Sequence, residues 1–302
     1  LFGSPVFIPE FGPEFELREG KFSSPNPFFR PPSQVVNFLG VDTPLRYQIV
    51  YPNESEIAMN PSYGFSMHQE WGNWFARSSY SYKPMNQLLM GVEFYFQHAE
   101  AGDQSVSVQV YPRLQYHQLL ALEAGFAEIG GWKTWVSWLS EVPENEEVPI
   151  EWTYQRTSPS RLVTFYVGRD LASSPLGETQ AYLCFSKLEG GDISDGGEFT
   201  ARYSLFEKRY QFHEVAALGI QGGRSSLFKR NLRWNFRFAF DQAQRGVLWL
   251  SDLSYQMANH WQISASLDFL GLVGSEKAQV VDGFLGQYRA NDRVQLKVEY
   301  VF

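Results

Sequence analysis

Residues 231–240 read NLRWNFRFAF, and their pattern is the clearest indication of the fold class. One leucine, one tryptophan and three phenylalanines occupy every second position, while two asparagines and two arginines fill most of the positions between them. Successive side chains of a β-strand point to opposite faces, so such a strand has one apolar face and one wet, polar face. The stretch therefore predicts a long strand with its charges on one side.

The same period of two recurs from residue 44 to the end of the chain, between short clusters of turn-forming residues such as Gly190-Gly191 and Gly222-Gly223. No stretch predicts a helix. The sequence predicts an all-β fold with strands over residues 44–51, 72–83, 86–98, 104–115, 118–127, 131–140, 148–157, 161–171, 178–189, 197–206, 209–221, 229–240, 246–257, 260–272, 279–289 and 292–302.

Composition excludes several classes of protein. The net charge of −8 argues against a nucleic-acid partner, because phosphate binding needs an excess of basic side chains. The one cysteine, Cys184, forms no internal disulfide. No apolar run reaches the roughly 18 residues of a membrane-spanning helix. The chain begins at Leu1 without the basic and apolar regions of a signal peptide, so we expect that one was removed or that another part of the protein precedes.

Proline divides the chain into two predicted parts. Seven of the 16 prolines lie in the first 32 residues, and none follows Pro175. Because proline cannot donate to a sheet ladder, residues 1–43 are predicted to be extended and irregular, and residues 44–302 to form the β-domain. The leader is rich in phenylalanine, which predicts that it packs against the β-domain as a plug or rim; a flexible linker is the alternative.

Alternation alone does not separate a membrane barrel from a soluble β-sandwich, whose apolar face packs on a second sheet. Many predicted strands are about 10–13 residues long, which is the span of a tilted membrane strand. Aromatic residues also gather near the predicted strand ends, as an interfacial girdle would require. They are Trp71, Trp74, Tyr80, Tyr82, Trp132, Trp135, Trp138, Trp261, Tyr300 and Phe302.

The last strand carries the most specific pattern. Its apolar residues, Val294, Leu296, Val298, Tyr300 and Phe302, alternate with Gln295, Lys297 and Glu299. This resembles the C-terminal signature strand of Gram-negative outer-membrane β-barrel proteins. The resemblance implies a transmembrane antiparallel β-barrel with an even number of strands, in contact with outer-membrane lipid and with the barrel-assembly machinery during insertion. We expect 14–16 strands; a soluble strand that ends in phenylalanine by chance is the alternative.

If the apolar set faces lipid, the residues between face a lumen. The predicted role is a passive conduit for ions or hydrophilic solutes, an outer-membrane porin-like channel. Tyr95, Tyr111 and Tyr166 among these residues suit sugars, and exopolysaccharide-export barrels are similar in size. A plugged barrel that anchors periplasmic or surface proteins is the alternative from another class. The charged residues predicted to line the lumen are Arg46, Arg77, Glu93, Arg113, Glu151, Arg202, Arg233, Arg237, Asp252, Asp268, Lys297 and Glu299.

Motifs for catalysis or metal binding were sought and not found. The five histidines are scattered, and no metalloprotease, nucleophile-elbow or phosphate-loop motif occurs. No enzyme, metal or cofactor is therefore predicted, although a Ser–His or Asp–His pair can still assemble across strands. The acidic run from Glu141 to Glu151 is predicted to be a solvated loop, with a divalent-cation site or an anion-repelling pore mouth as the alternative.

Overall fold

The computed structural model describes residues 1–8, 16–25, 33–38, 40–50, 53–86, 88–98, 104–145, 153–174, 177–196, 210–227, 230–257, 260–274 and 283–300. The elements of these residues, in chain order, are β1 (Phe2–Ser4), β2 (Glu16–Arg18), β3 (Lys21–Ser23), β4 (Val35–Phe38), β5 (Val41–Ile49), α1 (Glu54–Ala58), β6 (Ser62–Trp71), β7 (Trp74–Pro84), β8 (Leu89–His98), β9 (Gln104–Arg113), β10 (Tyr116–Ile129), β11 (Trp132–Pro143), β12 (Thr153–Thr157), β13 (Ser160–Ser174), β14 (Gly177–Gly190), β15 (Ile193–Gly196), β16 (Glu214–Leu227), β17 (Arg230–Asp241), β18 (Gly246–Gln256), β19 (Trp261–Leu272), α2 (Phe284–Gln287) and β20 (Arg293–Tyr300).

The dominant element is one antiparallel sheet of twelve strands, in the order β1-β6-β7-β10-β11-β13-β14-β16-β17-β18-β19-β20. Tight turns join neighbouring strands at one end, which we call the hairpin end. Gly130 and Gly131 form one such turn with φ of +61° and +80°, the conformation that a two-residue hairpin turn needs and that glycine adopts without strain. Among the described residues, β20 pairs only with β19, so the sheet has two edges.

A second sheet of six strands is built from the connections at the opposite end, in the order β15-β12-β8-β9-β5-β4. Strands β8 and β9 lie between β7 and β10, and β12 and β15 belong to the next two long connections. Only β5 and β9 pair in parallel. We call this end of the large sheet the junction end, because its strands lead there into the small sheet.

Buried polar side chains hold the junction together. Gln115 precedes β10, and its amide nitrogen donates to the Glu144 carbonyl at 3.0 Å and to Asn145 Oδ1 at 2.7 Å. The Thr157 hydroxyl donates to Gln115 Oε1 at 2.8 Å. Buried polar groups need such partners, so these bonds fix how the strands pass from one sheet to the other.

The six-stranded sheet has a small apolar core of its own, in which Phe22 from the β2–β3 hairpin packs on Tyr47 with ring centroids 5.2 Å apart. The Tyr47 hydroxyl donates to the Ser33 carbonyl at 2.6 Å, and burial raises the pKa of Tyr47 to about 12. Segments before residue 44 thus contribute to this sheet and its core.

The structure confirms an all-β fold dominated by antiparallel pairing, and it differs from the sequence-based prediction in several respects. Strand β6 occupies Ser62–Trp71, a stretch with no predicted strand, and the strand predicted over residues 197–206 lies outside the described residues. The expected 14–16 strands of one barrel are divided between two sheets. The described parts of residues 1–43 form β1 to β4 and the start of β5 rather than an irregular leader. The strand predicted over residues 279–289 is wrong, because α2 occupies Phe284–Gln287 and packs on β18 and β19.

Both helices are short, five residues in α1 and four in α2. No helix in the described part of the chain is long and apolar enough to cross a membrane.

Candidate functional site: the polar face of the large sheet

The large sheet has two chemically distinct faces. Directly opposed residues share a face, so the register can be followed from strand to strand. One row runs through Leu183, Leu218, Phe238, Trp249 and Phe269 on β14 to β19. We call this side the apolar face and the other the polar face.

The apolar face is uncovered. Val294 and Leu296 on β20 are 79% and 77% exposed, and Phe236 on β17 is 42% exposed. In the described residues the six-stranded sheet does not bury this face, so a second packed sheet does not explain the alternation. Its large exposed side chains are Phe65, Met67, Trp74, Leu120, Leu122, Val136, Val163, Phe165, Leu183, Phe185, Leu218, Ile220, Phe236, Phe238, Trp249, Leu253, Leu267, Phe269, Val294, Leu296, Val298 and Tyr300.

Aromatic side chains mark both ends of the sheet. At the hairpin end, Trp71, Trp74, Trp132 and Trp261 lie beside the turns. At the junction end, Tyr82 lies between Tyr63 and Tyr116, with ring centroids 5.2 and 4.9 Å away. Tryptophan and tyrosine rims separated by the height of a strand are typical of a membrane-spanning sheet.

The structure places seven of the twelve predicted lumen residues on the polar face of the large sheet. They are Arg77, Arg233, Arg237, Asp252, Asp268, Lys297 and Glu299. Arg46, Glu93 and Arg113 lie instead on β5, β8 and β9 of the six-stranded sheet, which has its own alternation. Glu151 and Arg202 lie outside the described residues, as does Phe302 of the predicted assembly signal; Val294 to Tyr300 of that signal lie on β20.

Most charges on the polar face are paired. Arg77 lies 3.4 Å from Glu123 on the next strand, and Lys133 lies 2.7 Å from Asp170. The remaining pairs are Arg237 with Asp252 at 3.7 Å, Lys297 with Glu299 at 2.5 Å, and Arg293 with Asp268. Exposed pairs of this kind contribute little to stability, because solvent screens their attraction. Their main consequence is electrostatic, because they neutralise the field over most of the face.

Three aromatic residues form a row in the middle of the polar face. Trp135, predicted to belong to the girdle, stacks instead on Tyr166 at a centroid distance of 3.7 Å, and Tyr166 stacks on Tyr182 at 5.7 Å. Tyr182 lies opposite Gly219 and covers it. A large ring over a strand glycine fills the gap that the missing side chain leaves.

We expect Gly219→Val to destabilise the sheet by about 1–3 kcal/mol, the usual cost of overpacking. A Cβ at this position would lie 2.1 Å from Tyr182 Cζ, so the ring must leave its place. The measurement is the free energy of unfolding in urea. The control is the double variant with Tyr182→Ala, in which the added methyl groups occupy the vacated space. If Gly219→Val lowered the free energy of unfolding equally in the wild type and in the Tyr182→Ala background, the contact between Tyr182 and Gly219 would be contradicted.

A buried polar cluster lies on the polar face at the junction end. The Glu141 carboxylate accepts hydrogen bonds from the Ser160 hydroxyl at 3.0 Å, from the Tyr210 hydroxyl at 2.7 Å and from His117 Nδ1. The His117 and Glu141 side chains are 5% and 1% exposed, and His117 Nε2 is buried with no hydrogen-bond partner among the described residues. We call these four residues the Glu141 cluster. Its geometry is not a catalytic triad, because the serine contacts the carboxylate rather than the imidazole.

The Glu141 cluster holds a segment that crosses the end of the polar face, Tyr210–His213, which we call the strap. Tyr210 binds Glu141, and the Gln211 carbonyl accepts from the Gln244 amide at 2.7 Å. Phe212 packs edge-on against Phe284 of α2, with centroids 5.7 Å apart. The strap and α2 therefore cover part of the junction end.

Glu141 was predicted to lie in a solvated acidic loop, and this is wrong for Glu141, which is buried on β11. Glu144 accepts from the Tyr82 hydroxyl at 2.8 Å, and Glu146, Glu147 and Glu151 lie outside the described residues. Local sequence carries no signal for the cluster, because its members lie on separate strands and on the strap. The sequence does suggest one contact within the cluster, because a hairpin centred on Gly130-Gly131 brings residues 117 and 141 close together.

Among the described residues, no group of three His, Cys, Asp or Glu side chains is placed to hold a metal ion. No protein-family model matches the chain, and neither the curated proteins nor the solved structures include one that is similar to it.

Proposed function

We propose that the large sheet is the wall of an outer-membrane β-barrel that forms a passive conduit for ions or hydrophilic solutes. The observation that carries the proposal is the uncovered apolar face, which extends over eleven strands of 8–15 residues. In water, each large apolar side chain left exposed forgoes about 1.5–3 kcal/mol of burial. Soluble monomers rarely expose apolar patches beyond a few hundred Å². Lipid removes this cost for the whole face at once.

Membrane insertion requires the two edges to be paired, because lipid offers no partner for free backbone groups. Strands β6 and β20 run in the same direction, since ten successive antiparallel pairings link them. Strand β1 pairs antiparallel to β6 at Ser62–Gly64 and makes the number of strands even. Closure between β1 and β20 would therefore be antiparallel, as in even-numbered outer-membrane barrels.

The polar face supports the conduit role. Every strand from β17 to β20 carries charged side chains there, together with hydroxyl or amide side chains, and no row of apolar residues covers them among the described residues. Because most of its charges are paired, the proposed conduit has weak overall ion selectivity. Separate rows of positive and negative charge would instead produce a strong transverse field across the lumen.

The second candidate is a plugged barrel that anchors periplasmic or surface proteins, and the strap favours it. The strap and α2 cover part of the junction end, and the six-stranded sheet at that end has a free edge at β4 among the described residues. An exposed edge strand can pair with a strand of another protein. A polysaccharide exporter remains a variant of the conduit, with the aromatic row as its only support.

Conductance in a planar bilayer separates these functions. We expect the full chain to give steady conductance with a reversal potential close to zero in a salt gradient. Tyr210→Phe removes the strap contact with Glu141, and we expect it to raise the open time or the conductance. Phe165→Leu, which changes only the apolar face, is the control. Silence from the full chain and from Tyr210→Phe, with insertion shown by protease protection, would favour the anchor.

A further inference from the structure

One row of the polar face consists entirely of hydrogen-bond donors. Arg233, Ser254, Ser264 and Lys297 lie directly opposite one another on β17, β18, β19 and β20. Neighbouring strands are about 4.8 Å apart, so the two cations are separated by roughly 14 Å at the backbone. The two serines between them are short, and the long basic side chains stand at either end.

A groove of about 340 Å³ lies along this row, and the residues that line it include all four members of the row, Asn235 and Gln295. The volume suits a small solute rather than a protein segment. The serine side chains form its floor, and hydroxyl groups donate to oxygen acceptors without desolvating a charge.

Arg233 differs from the other arginines of this face. Arg77, Arg237 and Arg293 each have a carboxylate partner, whereas no ion pair or hydrogen bond joins the Arg233 side chain to another described residue. Its five N–H donors are therefore available in a fork that matches the two oxygens of a carboxylate or phosphate.

Two carboxylates also line the groove, and they limit where an anion binds. Asp252 lies 3.7 Å from Arg237, and Glu299 lies 2.5 Å from Lys297. Glu299 leaves the Lys297 end close to neutral. The positive potential is thus strongest between Arg233 and the two serines.

From these observations we infer that the Arg233 row is a binding site for an oxyanion group, the phosphate or carboxylate of a small hydrophilic solute. The inference deepens the proposed conduit and rests on it, because the site would select anionic solutes along a face that is otherwise neutralised. It places the specificity of the protein at β17–β19 rather than at the aromatic row.

Isothermal titration of the full chain in detergent with inorganic phosphate, and separately with acetate, tests the site. We expect saturable binding of at least one anion, and we expect Arg233→Gln to weaken it roughly tenfold, as for the loss of one charge-assisted hydrogen bond. Ser264→Ala should weaken it by less. Lys133→Gln removes the same positive charge from another place on the polar face, where Lys133 pairs with Asp170. It should leave the anion affinity within about twofold of the wild-type value.

The outcomes separate this site from the conduit. The site would be overturned if Arg233→Gln bound each anion as tightly as the wild type does, or if neither anion bound to the wild type. Neither result would bear on conductance, which the bilayer experiment measures separately. Weakening by Lys133→Gln equal to that by Arg233→Gln would also overturn it, because only net charge would then matter. Saturable binding in a protein that is silent in bilayers would support the site and reject the conduit.

Discussion

Replacing Leu296 with arginine should impair membrane insertion, with a cost of about 2–4 kcal/mol if the residue lies near the bilayer midplane. Leu296 projects from β20 on the apolar face, 77% exposed, and lies opposite Ala265 on β19. A guanidinium there would have to be moved from water into hydrocarbon. Phe236→Arg on β17 should have a similar cost. The measurement is the free energy of folding into lipid vesicles, followed by urea titration.

The neighbouring residue provides the control. Gln295 lies on the same strand, on the polar face, opposite Ser266. Gln295→Arg introduces the same side chain at nearly the same depth, and we expect it to cost less than about 1 kcal/mol, because the side chain stays in water. Equal tolerance at Leu296 and Gln295 would contradict the assignment of the two faces, and with it the barrel.

Replacing Glu141 with alanine should destabilise the protein by about 3–5 kcal/mol, the range for removing one partner of a buried polar pair. The change leaves the His117, Ser160 and Tyr210 donors without their acceptor in a largely buried site. The tie between the strap and the wall is lost as well. Urea unfolding measures the first effect, and the rate of proteolysis near the strap measures the second.

Two variants separate the parts of this effect. Tyr210→Phe removes only the strap hydroxyl and should cost about 1 kcal/mol. Glu144→Ala changes an exposed carboxylate that accepts one bond from Tyr82, and should also cost about 1 kcal/mol or less. If Glu141→Ala were no more harmful than Glu144→Ala, the Glu141 cluster would not be a structural anchor.

Prediction from the sequence worked where the signal is local. The alternation in residues 231–240 identifies β17 and separates its apolar from its polar side chains, and the same holds for residues 293–300 in β20. It failed for α2, where Phe284 and Leu285 are adjacent apolar residues that fit a strand as well as a helical turn. Leu285 is buried against Gly246, a contact 39 residues away that local pattern does not contain.

The division into two sheets was also beyond the sequence. Val106, Val108 and Val110 on β9 alternate as clearly as any residues of the large sheet, yet they form the buried core of the six-stranded sheet with Leu45 and Tyr47. Alternation reports that a strand has two faces and does not report which strand lies beside it. Pairing of β9 with β5 depends on register over some 60 residues.

The all-β class, the long strands and the two-sided character of each strand follow from the amino-acid sequence, because they depend on the period of the side chains along the backbone. Long-range strand pairing determines which strands form the large sheet and which form the six-stranded sheet. It also determines that Glu141 is buried and that Arg233 lacks a carboxylate partner among the described residues. Burial and ion pairing depend on neighbours that are distant in sequence and are brought together by long-range strand pairing. Local composition does not specify which distant residues these are.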